Sequence, residues 1–172
     1  RLVMKIVELR THLCSPTQSY VLVKVICEDG VYGVGDGTLN GREQAVAAAL
    51  REHLAPVLLN LDADRIEDVW QHIYRGAYWR GGPVLMAALS GIDMALWDIK
   101  AKRAGMPLYQ LLGGKSRNHC RVYTHINGKS IDQVVEDARR KMDLGFTALR
   151  PTVAIPGCTG TYGVGGGYGS EE

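Results

Sequence analysis

The chain has 172 residues, 46% hydrophobic and 22% charged, with 20 Lys and Arg against 18 Asp and Glu for a formal net charge of +2. Such proportions belong to a globular protein able to bury a core, and so small and interleaved a charge argues against a nucleic-acid partner or an anionic membrane surface. No apolar run approaches the roughly 20 residues that span a bilayer, and the start Arg1-Leu2-Val3-Met4 has no signal-peptide core, so a cytoplasmic location is expected.

In chain order, Ile6, Val7 and Leu9 predict a short strand. Tyr20 to Glu28 alternates Val21, Val23, Val25 and Cys27 against Leu22, Lys24 and Ile26, as a half-buried strand must. Asp29-Gly30 is a tight turn into a third strand from Val31 to Val34, so three antiparallel strands are expected. Gly41 to Leu54 reads as an alanine-rich helix with Asn40 as its N-cap and Pro56 as its limit. Asp62 or Asp64 announces a second helix through Ile66, Val69, Trp70, Ile73 and Tyr74, and Arg75 to Pro83 is expected to be a loop. Leu85, Ala88, Leu89, Ile92, Leu96 and Ile99 then share one helical face. Lys100, Lys102 and Arg103 suit the negative end of that helix, and Gly105 and Pro107 stop it. Leu108, Leu111 and Leu112 form a short apolar turn before Gly113-Gly114 loosens the chain.

Beyond Gly114 the period changes. Arg121 to His125 predicts a strand, Ile131 to Leu144 a helix capped at Gly145, and Phe146 to Leu149 a second strand, together one βαβ unit. Five of the last ten residues are glycine, and no hydrophobic period survives there, so the end is either a mobile loop or a truncation. Cys14, Cys27, Cys120 and Cys158 lack paired short spacing, which argues against a zinc site or a disulfide framework and for plain thiols.

A parallel α/β barrel places its active groups at strand ends, because side chains there point into the mouth built by the βα loops. His125 falls at the end of the first expected barrel strand, Arg150 at the end of the second, and Tyr162 in the loop that follows. Taken alone, such a histidine is commonly a satisfied structural residue, such an arginine an ion-pair partner, and such a tyrosine an ordinary loop residue. Tyr78 and Trp79 read either as core aromatics or as part of a loop over a pocket. Glu67-Asp68 and Asp36 read as a solvated face and a strand-end turn.

Three strings carry more. Gly35-Asp36-Gly37-Thr38-Leu39-Asn40-Gly41-Arg42-Glu43, Tyr74-Arg75-Gly76-Ala77-Tyr78-Trp79-Arg80-Gly81-Gly82-Pro83, and the stretch from Ile92 to Gly114 together resemble the D-mannonate dehydratase family. That family lies in the mandelate racemase and muconate lactonizing enzyme branch of the enolase superfamily, and the likeness covers about residues 4 to 150. It implies an α/β protein with an enolase-like α+β capping domain over residues 1–117. Residues 118–172 would then be the first two strands of a (β/α)8-type barrel and a Gly-rich loop, a barrel that this chain does not complete.

The resemblance also implies roles. Asn40 and His125 would contact a sugar acid, Trp79 would help to wall the pocket, and Arg150 with Tyr162 would take the proton next to the carboxylate. Asn40 would combine that role with a helix cap only if its amide oxygen and nitrogen face different partners. A tyrosine, with an ordinary pKa of about 10, is a poor base at neutral pH, and a guanidinium in hydrogen-bonding reach favours its phenolate. The family's Mg2+ ligands are carboxylates on later strands, and its general-acid histidine is later too, so no metal ligand is expected in this chain and the segment alone is expected to be inactive.

The implied reaction is Mg-dependent hydro-lyase chemistry: loss of the C2 proton and the C3 hydroxyl converts D-mannonate to 2-keto-3-deoxy-D-gluconate. D-gluconate or another acid sugar is the alternative substrate, and a truncated, non-catalytic cap-domain module is the alternative role. The implied partners are a small-molecule acid sugar and further copies of the chain in a homo-oligomer. Pro151-Thr152-Val153-Ala154 departs from the family's continuation, as do Gly37 and Gly81, where relatives often carry alanine and arginine.

Overall fold

A computed structural model describes residues 3–15, 19–128 and 130–151. The chain divides into two compact units between Lys115 and Ser116.

The first unit begins with a sheet in which β1 (Ile6–Cys14), β2 (Tyr20–Cys27) and β3 (Tyr32–Asp36) pair antiparallel in that order. The β2 alternation is realised fully: Val21, Val23, Val25 and Cys27 are buried, and their neighbours are half-buried. Burial pushes the Cys27 thiol above its ordinary pKa, which makes it an inert core residue. Strand β1 extends five residues beyond the expected stretch. Leu9, Thr11 and Leu13 continue the inward side opposite Val25, Val23 and Val21, while Glu8, Arg10 and His12 face outward. Glu8 and Arg10 pair at 2.6 Å, so charged residues sit on the exposed face of a regular ladder.

The first helical run differs from expectation at both ends. It comprises α1 (Glu43–Ala48), a π-helical turn (Ala49–Leu54) and α2 (Ala55–Leu58). Asn40 does not cap it; the N-cap position is Arg42. The Glu43 carboxylate accepts instead from the Gly41 N–H at 3.0 Å. Pro56 does not end the run, because it stands in the first turn of α2, where a missing N–H is tolerated. The preceding π turn, in which the Ala55 N–H donates to the Leu50 carbonyl, resets the ladder just before it.

Helix α3 (Ile66–Gly76) buries Ile66, Val69 and Ile73, and Trp70 stacks on Tyr74 with centroids 5.0 Å apart. Neither Asp62 nor Asp64 caps it: Asp62 Oδ1 accepts from the Met4 and Asp64 N–H groups, tying β1 to the helix approach. Helix α4 (Pro83–Arg103) starts earlier than expected, since Pro83, placed in the loop by its residue type, is its first residue. It packs on β2 and β3 and also on α1 and α3, so Gly91, Ala95 and Ala101 are buried beside the expected apolar face. Gly105, at φ 63°, ends it, and the Met106 N–H closes back on the Ala101 carbonyl at 3.2 Å. The short α5 (Leu108–Leu111) follows Pro107.

Helix α4 approaches β3 unusually closely. A β-carbon at Gly33 would collide with the Ala95 carbonyl, one at Gly35 with the Gly91 carbonyl, and one at Gly37 would lie 3.2 Å from the Ala87 oxygen. Glycines every second residue on the strand thus meet small residues every fourth on the helix, so backbone packs on backbone.

The second unit holds a parallel pair, β4 (Thr124–Ile126) and β5 (Leu149–Pro151), joined by α6 (Ile131–Asp143). Ser130 caps α6 by accepting from the Gln133 N–H at 3.3 Å, and Gly145, at φ 93°, closes its other end. Both strands are shorter and later than expected. Residues Phe146 to Ala148 carry the chain away from the helix: the Phe146 N–H bonds back to Lys141, and the Ala148 carbonyl accepts from Thr124. None of the side chains of α6 is buried.

Candidate functional site

In the second unit the ladder places His125 directly opposite Arg150, with Thr124 opposite Leu149 and Ile126 opposite Pro151. In-register neighbours of a parallel pair project from the same face, so imidazole and guanidinium share one side of the sheet. Each sits in the middle of a three-residue strand rather than at its end. Ile126, the next residue, is buried and anchors the strand.

The chain after His125 is held by two contacts. The Asn127 N–H donates to Asp137 Oδ2 at 3.0 Å, and that bond, with the Arg140 side chain, lowers the Asp137 pKa from its ordinary value. Gly128 lies so close to α6 that a β-carbon there would fall 2.6 Å from the Val134 nitrogen. The βα connection is therefore tight, and it fixes where His125 emerges.

Tyr123, two residues before His125 on the same face, was not singled out by sequence reasoning. Its ring lies 5.7 Å from the imidazole, with the planes 33° apart. The signal available for it was the two-residue strand period, obscured because both rings are exposed and neither marks a core position.

Asn40 and Trp79 belong to the first unit. Asn40 is exposed, and its amide makes no hydrogen bond among the described residues, so the cap role expected for it leaves no claim on either end of the side chain. Trp79 is 85% exposed and Tyr78 89%, and they meet edge to face at 5.2 Å, so neither is a core aromatic. Gly81 and Gly82 follow at φ 79° and 82°. An arginine in place of Gly81 would be strained in that backbone, whatever space it found. Tyr162 and Cys158 lie outside the described residues, while Cys14, Cys27 and Cys120 are free thiols.

Among the described residues no group of three or more His, Cys, Asp or Glu side chains is placed to hold a metal ion. Nor is any described helix long and apolar enough to cross a membrane.

Residues 7–113 match the N-terminal domain of the Mandelate racemase / muconate lactonizing enzyme family. The chain belongs to that family. Its first unit is thus an enolase-superfamily capping domain, as the three strings implied. Among related mandelate racemase / muconate lactonizing enzyme proteins, a D-mannonate dehydratase of Novosphingobium aromaticivorans is 54% identical over 164 residues, 95% of this chain and 41% of the relative. A D-galactonate dehydratase family member, RspA, of Cellvibrio japonicus is 53% identical over 94% of this chain and 40% of its own length. The chain therefore spans about two fifths of the curated relatives it matches. An enolase from Pantoea ananatis, solved with bound D-gluconate and Mg, superposes with a TM-score of 0.83 at 46% identity, covering 87% of this chain and 36% of that one. Homologues of this family member are dehydratases, which supports hydro-lyase chemistry for the family.

Proposed function

We propose that this protein is an acid-sugar dehydratase acting on D-mannonate. The observation that carries the reading is the placement of His125 opposite Arg150 on adjacent parallel strands, in a chain whose relatives include a D-mannonate dehydratase. A proton α to a carboxylate is very weakly acidic, so its removal needs a base near neutral pH and stabilisation of the charge that develops. Arg150 favours the phenolate of Tyr162 and that pair takes the C2 proton, while His125 hydrogen-bonds a hydroxyl of the sugar acid.

D-gluconate is the second reading, favoured by the Pantoea ananatis relative with that acid bound. The test is an assay of the full-length protein with Mg2+ against a panel of hexonates, following formation of the 2-keto-3-deoxy acid. Turnover is expected with mannonate first, and Arg150→Met should lower kcat by about a hundredfold or more, as loss of general-base chemistry does. Absence of keto acid from every hexonate would refute the dehydratase reading, and turnover of gluconate alone would refute the choice of mannonate.

A further inference from the structure

Among the described residues β3 is the outer strand of a three-stranded sheet, and an outer strand presents unpaired backbone groups that invite another chain. Gly33 and Gly35 turn toward β2 in register with Val25 and Val23, so Tyr32 and Val34 turn their backbone groups to the free side. Those side chains lie on the outer face and are 43% and 44% exposed, an aromatic and a β-branched residue on a short flat edge. An outer strand left uncovered is open to pairing with another strand.

One turn of α4 occupies that edge. Asp98 Oδ2 accepts from the Val34 N–H at 2.9 Å, and Lys102 Nζ donates to the Tyr32 carbonyl at 2.8 Å. The two side chains, four residues apart, also bond to each other at 2.8 Å. Their reach depends on the glycine packing described above, which brings the α4 backbone against β3. Two ammonium groups then flank the Tyr32 ring, Lys24 at 3.8 Å and Lys102 at 4.4 Å from its centroid. A second copy approaching edge to edge would bring its own pair of ammonium groups against these, and like charges face to face are unfavourable.

We propose that Asp98 and Lys102 guard the free edge of the capping sheet, occupying the backbone groups through which β3 would otherwise pair with β3 of a second copy. The guard is made of side chains, so it leaves the strand's own register untouched while removing the donor and acceptor that a partner strand needs.

The test compares the 172-residue chain with its Asp98→Ala/Lys102→Ala variant by sedimentation velocity over a concentration series. The variant should self-associate about tenfold more strongly, the equivalent of roughly one regained backbone hydrogen bond. Adding Val34→Pro, which deletes the edge N–H at a position where an edge strand tolerates proline, should return it to the behaviour of the parent. Unchanged association in a variant that keeps its thermal transition would overturn the proposal, as would association that persists with Val34→Pro. Hydrogen exchange at the Val34 amide gives a second reading should the double variant fail to fold. Asp98→Asn retains an acceptor and should keep that amide protected, whereas Asp98→Ala in dilute solution should lose the protection. Equal exchange in all three proteins would overturn the guard.

Discussion

Thr11 turns inward from β1 opposite Val23, and its hydroxyl is buried with no hydrogen-bond partner. A hydroxyl removed from water without a partner is a cost that an isosteric methyl avoids. Thr11→Val should therefore raise the urea midpoint, by about 1 kcal/mol of stability; a lower midpoint would show that the hydroxyl is bonded after all. Asp93, partly buried on α4, has its pKa raised first by desolvation and then by the charge of Glu67. The folded state thus binds this proton more tightly than the unfolded chain. Its contribution is fully present below the ordinary carboxylate pKa and is lost as pH rises through the raised value. Thermal scans should accordingly show that Asp93→Asn gains stability relative to the parent at pH 7 and not at pH 3; an equal difference at both pH values would contradict this. The expected strands made His125 and Arg150 legible one by one, as residues near strand ends, and the resemblance alone gave them roles. The same reasoning misplaced Asn40, because a good capping residue three positions before the first turn looks the same in sequence as one at the cap itself.

Among elements, the β3–α4 contact shows most plainly how local pattern and packing differ. Gly33 and Gly35 look like weak strand residues, yet each is required by a helix carbonyl that leaves no room for a β-carbon. Gly33→Ala should cost about 2 kcal/mol, since overpacking against backbone cannot be relieved by a rotamer change; a change below a few tenths in chemical denaturation would mean that α4 can move away. At the far end of α4, Arg103 does more than complement a helix dipole. Its guanidinium donates to Asp29 in the β2–β3 turn at 3.0 Å and lies 3.8 Å from Asp64 before α3. A lysine has one ammonium where arginine has a fork, so Arg103→Lys should lose one of the two partners and about 1 kcal/mol of stability. The antiparallel sheet, α3 and α4 were all legible from period and punctuation. The run through Pro56 was not, because a π turn leaves no signature in hydrophobic spacing and lets a proline stand where a helix end is expected.

On the scale of the whole molecule, the two units differ in how much they bury. The first carries the continuous core from Ile6 to Ile99, whereas in the second only Ile126 is buried among the described hydrophobic residues, and Val122, Ile131, Met142 and Leu144 are exposed. Calorimetric titration of the 172-residue chain with Mg2+ should show no micromolar binding, in line with the lack of a three-ligand cluster among the described residues; micromolar binding would place ligands in this chain. By itself the sequence determined the order of the elements, the alternation of β2, the stop at Gly105 and the family, because each is written in residues near one another along the chain. Only the tertiary structure decided that His125 faces Arg150 with Tyr123 alongside, that Asn40 is free of the helix it precedes, and that Asp98 and Lys102 close a strand edge. Those facts depend on register and on the distance of closest approach between elements, and neither quantity has a local signal for a linear reading to find.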